Sequence, residues 1–237
     1  MNLLIQTKNL LIGSDEAVSH LEQKDSAVIL AVSDSHGNPS VIKKILEEFS
    51  ERSDAFVFSG DGTQDIADIF DSLKKDKKLA KMFPPVAVIA GGNGDDSSYP
   101  VSFNPTKEKI SKDDFLLQIP RTVSFTAAGK KILVTHGHIF GVYYGMSEIE
   151  KQASLDKADL VIYGHSHIAS RTDTPSATFI NPGSCTLPRR SLPPSFALIE
   201  ISRGQKNIGC TFYEIKISLS NGISFTPFAP DMHLHQW

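Results

Sequence analysis

The sequence has 237 residues, of which 24 are basic and 27 acidic, so the formal net charge at pH 7 is −3. This balance gives no electrostatic reason to expect nucleic acid as the main partner, and it disfavours a strongly basic binding module. Hydrophobic residues make up 40% of the chain, which is typical of a globular domain and excludes a wholly disordered protein.

The cysteines and the N-terminus indicate the compartment. Cys185 and Cys210 are the only cysteines, and no CxxC pair is present, so we expect two free thiols in a reducing compartment rather than a structural zinc site. The apolar runs at residues 3–5 and 10–12 are interrupted by Gln6, Lys8 and Asn9 before a signal-peptide core or a spanning helix can form. The sequence therefore predicts a cytoplasmic protein with no membrane contact.

Strands and helices alternate in the first part of the chain. Residues 27–33 form a short apolar, β-branched run typical of a buried parallel strand, and a polar loop follows. A helix is predicted from Pro39, with Asn38 as its N-cap and an apolar stripe at Val41, Ile42, Ile45, Leu46 and Phe49. The same pattern recurs as a strand at 55–58, a loop at 59–62 and a helix with its stripe at Ile66, Ile69, Phe70 and Leu73. A third strand is predicted at 86–90.

Strands dominate the second part. Residues 122–126 and 131–135 flank an Ala-Ala-Gly turn and predict a hairpin, and 160–163 predict a further buried strand. From residue 177 onward we expect strands without long helices, at 177–180, 196–201, 210–217 and 223–225. Residues 96–112, rich in Ser, Pro, Asn and Lys, predict a long surface loop. This mixture favours two packed sheets with helices outside.

Polar side chains follow five of the predicted strands. They are Asp34 and His36, then Asp61, Asn93, His136, and finally His165 with His167. Ligands of open α/β sheets gather at the carboxyl ends of the strands, so we expect these seven side chains to converge. Each pair at positions i and i+2 can point to one face of an extended segment.

These donors suit metal ions. Carboxylate, imidazole and amide groups without a thiolate favour a first-row divalent ion such as manganese, iron, zinc or cobalt. Seven donors exceed what one ion needs, so we expect two ions, with Asp61 as the shared carboxylate. Two divalent ions and two carboxylates leave about two positive charges, which favours an anionic substrate and phosphoester hydrolysis.

The motifs also carry a resemblance to a known family. Asp34-x-His36, Gly60-Asp61, Gly92-Asn93-x-Asp95, Gly164-His165-x-His167 and Asn181-Pro-Gly-Ser184, with His136 between them, resemble the calcineurin-like metallophosphoesterases over residues 28–201. The chain looks most like their small prokaryotic phosphodiesterase branch.

The resemblance implies a fold, a metal centre and domain limits. It implies an α/β fold of four layers, with two mixed β-sheets flanked by helices, in a single domain at 26–237. Residues 1–25 would be an N-terminal extension, forming an added edge strand or an oligomer contact. The first ion would be held by Asp34, His36, Asp61 and His167, and the second by Asp61, Asn93, His136 and His165. The two ions would be manganese, with iron, zinc, nickel or cobalt as alternatives.

One departure from the family concerns the general acid. Many relatives have His or Cys after the motif Asn, where a His can protonate the leaving group, but this chain has Gly94. His138 is a candidate substitute, or else a structural residue. We expect Asp95 to contact the ligands rather than the metal.

Other residues have weaker claims to a role. Ser184 is not expected to be a nucleophile. Arg189 and Arg190 could hold a phosphate but suit a solvated loop, and His233 and His235 suit a surface tail.

The predicted function is hydrolysis of phosphate esters, above all diesters, by a hydroxide that bridges two metal ions. The alternatives are a phosphomonoesterase or a nucleotide pyrophosphohydrolase with the same centre, or a non-catalytic interaction scaffold. The predicted partner is a small phosphate ester, with no specific nucleic acid and no membrane, and a homo-oligomer is left open.

Overall fold

The computed structural model describes residues 2, 4–73, 80–81, 83–101, 115–218, 220 and 222–230. The α-helices with described boundaries are α1 (Asp15–Gln23), α2 (Pro39–Phe49), α3 (Thr63–Leu73) and α4 (Ser147–Asp156), and 3-10 helices occur at Ser50–Arg52 and His138–Phe140. The strands are β1 (Ser26–Val32), β2 (Ala55–Phe58), β3 (Val86–Ile89), β4 (Ser98–Val101), β5 (Phe115–Gln118), β6 (Thr122–Ala127), β7 (Lys130–Thr135), β8 (Leu160–Ile162), β9 (Ser170–Asp173), β10 (Thr178–Asn181), β11 (Ser195–Ser202), β12 (Gly209–Ser218) and β13 (Gly222–Phe228).

Two mixed sheets form the centre of the fold. The six-stranded sheet has the order β13-β12-β11-β1-β2-β3, in which β1, β2 and β3 are parallel and the other neighbours antiparallel. The five-stranded sheet has the order β6-β7-β8-β10-β9, with β7, β8 and β10 parallel. Strands β4 and β5 form a separate antiparallel pair. The parallel strands bring several carboxyl ends to one edge of each sheet.

Apolar side chains pack these elements into four layers. Ile29, Val57, Val134 and Ile162 belong to the core between the inner faces of the two sheets. The outer face of the six-stranded sheet packs on the apolar stripes of α2 and α3. The outer face of the five-stranded sheet packs on α4 through Ile149 and Ala153. The expected fold of two mixed sheets with helices outside is therefore confirmed.

The N-terminal segment contains a helix that the sequence analysis did not predict. Ser14 caps α1 by accepting a 3.1 Å hydrogen bond from the Ala17 N–H, and Asp15 and Glu16 occupy the first turn. Before it, Ile12 makes an isolated antiparallel bridge to Ala87 at the free edge of β3. The segment thus meets the sheet edge through one residue and not through a strand.

Several other local predictions need adjustment. Asn38 precedes α2 as expected, but its side chain makes no capping hydrogen bond to the helix. Helix α4 and strand β9 were not predicted, and residues 98–101 of the expected surface loop form β4. Residues 102–112 of that loop, and the tail residues His233 and His235, lie outside the described residues. In the part of the chain that the structure describes, no helix is long and apolar enough to cross a membrane.

Candidate metal centre

Six of the seven predicted donors form two adjoining groups at the carboxyl ends of the strands. One group is Asp34, His36 and His167, and the other is Asp61, His136 and His165. Within each group the ligand atoms lie within 4.8 Å of one another. Asp34 and Asp61 follow β1 and β2 of one sheet, whereas the histidines at 136, 165 and 167 follow β7 and β8 of the other. The centre therefore lies where the two sheets meet.

The first group is compact. His36 Nε2 and His167 Nε2 lie 3.1 Å apart. Asp34 Oδ1 lies 3.2 Å from His167 Nε2 and 3.9 Å from His36 Nε2. Donors that share one first-row ion at about 2.1 Å lie about 3 Å from one another, so these separations suit a metal ion.

The two groups adjoin at His136. Its Nε2 is 3.4 Å from Asp61 Oδ2 and 3.9 Å from Asp34 Oδ1. Asp34 Oδ1 thus lies close to histidines of both groups, whereas Asp61 is grouped with His136 and His165. The sharing of Asp61 between two ions stays a prediction.

Hydrogen bonds to backbone carbonyls decide which ring nitrogens face the centre. His136 Nδ1 lies 2.7 Å from the Ser59 carbonyl oxygen, and His167 Nδ1 lies 2.6 Å from that of Leu187. A carbonyl only accepts hydrogen bonds, so each Nδ1 must carry its proton. In the neutral rings each Nε2 therefore presents a lone pair to the centre, which is the form that binds metals.

Two buried atoms of the centre support the same interpretation. Asp34 Oδ1 and His136 Nε2 are buried and have no hydrogen-bond partner among the described residues. Buried polar groups without partners are rare because desolvation without compensation is costly. A divalent cation would satisfy both atoms, so the residues present fit a metal ion.

Carboxylates and imidazoles set the local charge. Burial opposes the charged form of Asp61, but His136, the Gly94 N–H and His36 outweigh it and hold the pKa of this carboxyl well below its usual range. Burial also opposes protonation of His136 and His167, yet Asp61 and Asp34 raise the pKa of the first, and Asp34 with the Leu187 carbonyl raises that of the second. The carboxylates thus favour cations at the positions that a metal ion would take.

Asp95 organises the loop that carries Asp61. Its Oδ2 accepts hydrogen bonds from the N–H groups of Asp61 and Gly92, both at 2.8 Å. Its Oδ1 accepts from those of Gly62 and Thr63, both at 2.9 Å, where α3 begins. Asp95 thus contacts the backbone of the ligand loop, and its carboxylate also caps a helix N-terminus. Its part in the reaction stays a prediction.

Three further residues brace the ligand loops and were missed or underrated in the sequence. Asp65, on α3, accepts hydrogen bonds from the Ser35 hydroxyl at 2.5 Å and from the Gly37 and Asn38 N–H groups. Asn181 donates to the Gly164 carbonyl at 2.9 Å, and Ser184 donates to the Asp34 carbonyl at 2.7 Å. Ser184 is thus engaged with the backbone under Asp34. The Asn-Pro-Gly-Ser motif signalled the last two, whereas no local pattern marks Asp65.

The residues around Asn93 are more open. Asn93 is exposed and does not belong to either group of His, Asp and Glu donors. Gly94 donates its N–H to Asp61 Oδ1 at 2.9 Å. Gly92 runs directly under Asp61, because a Cβ there would overlap its Oδ1. The role of Asn93 as a ligand stays a prediction.

His138 lies beside the second group without belonging to it. Its ring centroid is 5.4 Å from that of His136 and 6.1 Å from that of His165. Burial, followed by the charges of His136 and Arg121, lowers the pKa of His138 to about 4. In the metal-free protein His138 is therefore neutral at pH 7. A proton-donating role for it stays a prediction.

Arg189 and Arg190 lie on the loop after Ser184, and both are exposed. The Arg189 N–H donates to the His167 carbonyl at 3.1 Å, and its guanidinium carbon lies 5.4 Å from the ring centroid of Tyr143. The structure thus places Arg189 at the rim of the centre. Cys185 and Cys210 are both free thiols, as expected.

Comparisons with known proteins agree with this arrangement. The family model of the calcineurin-like phosphoesterase superfamily domain matches residues 28–204. The probable metallophosphoesterase YsnB of Bacillus subtilis is 28% identical over 189 residues, which is 78% of this chain and 90% of that protein. Phosphodiesterase YfcE of Escherichia coli K12 is 28% identical over 91 residues, 37% of this chain and 46% of that protein, so that match spans just under half of the relative.

Solved structures share the fold at lower identity. A predicted phosphoesterase of Streptococcus pneumoniae has 21% identity and a TM-score of 0.58, covering 86% of this chain and 99% of its own. Vps29 of Cryptosporidium parvum has 17% identity and a TM-score of 0.57, covering 87% of this chain and all of its own. At these identities the likeness concerns the fold alone.

Proposed function

Because the chain belongs to the calcineurin-like phosphoesterase superfamily, we propose that it is a phosphodiesterase that uses two divalent metal ions. The observation that carries this proposal is the pair of adjoining donor groups with buried, unpartnered atoms facing the centre. A set of imidazoles around two carboxylates has no packing purpose, since buried polar groups without partners destabilise a fold.

The residues of each group have distinct parts in the proposed reaction. Asp34, His36 and His167 would hold one ion, and His136, His165 and Asn93 the other. Asp61 would contribute to both sets. Bound divalent ions supply Lewis-acid charge that activates water and neutralises the phosphoryl group. The Ser59 and Leu187 carbonyls keep the Nε2 lone pairs of His136 and His167 turned inward. Asp95 holds the Asp61 loop in place.

A diester is the favoured substrate because the relative YfcE is named a phosphodiesterase. A phosphomonoesterase or a nucleotide pyrophosphohydrolase would use the same centre, and the substrate series below separates these activities.

The experiment begins with protein stripped by a chelator and reloaded with Mn²⁺, Fe²⁺, Zn²⁺, Ni²⁺ or Co²⁺. We expect about two ions per chain and hydrolysis of bis-p-nitrophenyl phosphate faster than that of p-nitrophenyl phosphate. Asp61→Asn should abolish measurable activity and lower the content of both ions, whereas Asn93→Ala should weaken chiefly one site. Asp68→Asn, on the exposed face of α3, is the matched control.

The interaction scaffold is the alternative from a different class. It predicts that the protein keeps its fold and binds no metal at micromolar concentrations. Equal hydrolysis by metal-free and metal-loaded protein, or the absence of bound metal together with the absence of hydrolysis, would overturn the phosphodiesterase proposal.

A further inference from the structure

A short loop places two tyrosines beside the metal centre. The loop, residues 137–146, begins directly after His136 and ends at α4. Gly137 and Gly141 have positive φ values of 97° and 59°, and Val142 is buried. A Cβ at Gly137 would lie 2.8 Å from the Val142 side chain, so the loop turns tightly and its start packs against Val142. With Val142 pointing inward, the next two side chains face solvent.

These two aromatic rings are unusually open. Tyr143 is 42% exposed and Tyr144 is 91% exposed. The Tyr143 ring centroid is 6.3 Å from that of His165, a member of the second donor group, and 5.9 Å from that of Tyr144. Large amphipathic rings contribute most when a ligand covers them, and exposed apolar patches beside a site mark binding surfaces.

Arg189 places a positive charge beside these two tyrosines. The Arg189 guanidinium carbon lies 5.4 Å from the Tyr143 ring centroid, and its backbone N–H is bonded to His167. Among the described residues, the Arg189 guanidinium forms no ion pair. Its charge is therefore available to an anion, and its position next to a donor of the first group suits a phosphoryl oxygen.

From this juxtaposition of a ring and an unpaired guanidinium next to the metal centre, we infer that the substrate carries a planar aromatic group. The aromatic group stacks on Tyr143, and Arg189 contacts the phosphoryl group. This inference rests on the proposed function and narrows its substrate class to aromatic or nucleoside phosphate esters. A flat ring is favoured over an alkyl group because an aromatic face attracts both another ring and the adjacent guanidinium.

The first test is binding of two phosphonates of equal size to the Mn²⁺-loaded protein, measured by calorimetry. Phenylphosphonate has a planar ring, whereas cyclohexylphosphonate has a puckered aliphatic one. We expect phenylphosphonate to bind about tenfold more tightly, which is near the lower end of what stacking of a base on an aromatic side chain contributes.

Substitutions test whether the Tyr143 ring causes the preference for phenylphosphonate. Tyr143→Leu keeps apolar bulk without an aromatic face, and the ratio of the two dissociation constants should fall close to one. Tyr143→Phe should keep the ratio. Arg189→Gln should weaken both phosphonates by a similar factor and leave the ratio in place. Leu155→Ala removes another exposed apolar side chain, on α4, and should change neither constant.

A second comparison separates the two sources of an aromatic group. Thymidine 5′-(p-nitrophenyl phosphate) and methyl p-nitrophenyl phosphate release the same leaving group, so a higher kcat/KM for the thymidine ester indicates a nucleotide. A phenyl preference in binding without a thymidine preference in hydrolysis indicates a simple aryl ester.

Two results would overturn the inference while leaving the phosphodiesterase intact. One is equal binding of the two phosphonates to an active enzyme, and the other is a phenyl preference that survives Tyr143→Leu. If the loaded protein neither hydrolyses any ester nor binds either phosphonate, the proposed function itself fails and this inference falls with it.

Discussion

Five of the seven candidate donors have a backbone conformation that residues with a side chain rarely adopt. Their φ values are positive, at 54° for Asp34, 46° for His36, 52° for Asp61, 69° for His165 and 60° for His167. The left-handed region costs a residue other than glycine about 1–2 kcal/mol. Such strain clusters at functional sites, where the surrounding structure holds it in place.

This strain predicts an unusual order of stability at His165. In metal-free protein, His165→Gly should be more stable than His165→Ala by about 0.5–1 kcal/mol, because glycine adopts positive φ without the steric penalty. Urea denaturation in the presence of a chelator measures the difference. His20, inside α1, is the matched control, since glycine there should be less stable than alanine by about 1 kcal/mol. If the glycine and alanine variants had the same order of stability at His165 and at His20, this would contradict the prediction.

We expect the centre to lack the proton donor of many relatives, because Gly94 follows Asn93, and the structure has room for one. A Cβ at Gly94 would lie 3.4 Å from Asp61 Oδ1, an ordinary contact, and its φ is not among the positive values. Gly94→His should raise activity on esters with poor leaving groups, since general acid catalysis contributes about a hundred- to ten-thousand-fold. Rates across a series of leaving-group pKa values provide the measurement.

His138→Ala in the same leaving-group series tests the alternative. If His138 supplied the proton, its loss would slow only the esters with poor leaving groups. We expect no such selective loss, because the low pKa of His138 leaves it neutral at pH 7. A large selective loss would overturn the view that this site works without a general acid.

Single residues in the centre could be predicted only in part from the sequence. The six clustered donors were found because polar residues directly follow apolar strands, which is a local signal. The carbonyls of Ser59 and Leu187, which orient two of the rings, lie 77 and 20 residues from their histidines. Asp65 acts on a loop 27–30 residues away. Such long-range hydrogen bonds leave no pattern in the sequence.

At the scale of elements, the N-terminal segment is fastened to the sheets by side chains that imitate backbone. Gln6 Nε2 donates to the Gln118 carbonyl at 2.8 Å, and the Gln118 N–H donates to Gln6 Oε1 at 2.9 Å. The amide thus pairs with β5 as another strand would. Asn2 fixes the same segment by donating to the carbonyls of Ile12 and Pro84.

Substitutions at Gln6 test this attachment. Gln6→Glu loses the donor and places a carboxylate against the Gln118 carbonyl, so we expect a loss of about 1–2 kcal/mol in the free energy of unfolding. Faster hydrogen exchange of the Gln118 amide should accompany it. Among the described residues, the Gln23 side chain bonds only to the exposed Ser19 hydroxyl, so Gln23→Glu should stay within about 0.5 kcal/mol of the parent. Equal effects at both positions would argue against the strand-like role of Gln6.

The accuracy of the predicted elements follows from how strongly each one is patterned. The buried strands β1 and β2 are continuous apolar runs, and their predicted positions agree with the structure within one residue. Helix α4 buries only Ile149 and Ala153, and β9 has the sequence Ser-Arg-Thr-Asp, so neither has a clear periodicity. Helix α1 is different, because Ser14 is a typical N-cap residue. The start of this helix could therefore have been predicted from the sequence.

At the scale of the whole molecule, the candidate metal centre connects the two sheets. Asp34 and Asp61 extend from the six-stranded sheet, and His136 and His165 extend from the five-stranded sheet. An ion bound by residues of both sheets would therefore stabilise the contact between the layers. Because a ligand that binds only the folded state stabilises it, metal binding should be visible as global stability.

Removing metal should lower the melting temperature. An ion present at a hundred times its dissociation constant contributes about 2.7 kcal/mol, which corresponds to roughly 5–10 °C for a chain of this size. The Cys185 thiol is fully buried, and burial raises its pKa, so it should react with a thiol reagent only after opening. Faster labelling after chelation should parallel the lower melting temperature. If chelation changed neither the melting temperature nor the rate of thiol labelling, this would contradict a metal-linked contact between the sheets.

Metal affinity should rise as the pH increases above about 6.5, the ordinary pKa of histidine. In the metal-free protein the raised pKa values of His136 and His167 keep protons on rings whose lone pairs an ion needs. Each displaced proton makes affinity increase up to about tenfold per pH unit until the raised pKa is passed. Burial lowers the pKa of His165, so this ring contributes less to the pH dependence than His136 and His167 do. Competition with a fluorescent chelator measures the constants, and an affinity independent of pH would refute the linkage.

The pairing of β1 with β11 has a consequence for how the chain is made. Ala27 lies opposite Ile201, so 174 positions separate two neighbours in the middle of the larger sheet. At about 5–20 residues per second, a ribosome adds the second partner roughly 9–35 s after the first. During that interval β2 can pair with one edge of β1, and β3 can pair with β2, while the other edge of β1 stays open. Unfinished chains that end before residue 195 therefore expose the central strand to pairing with one another.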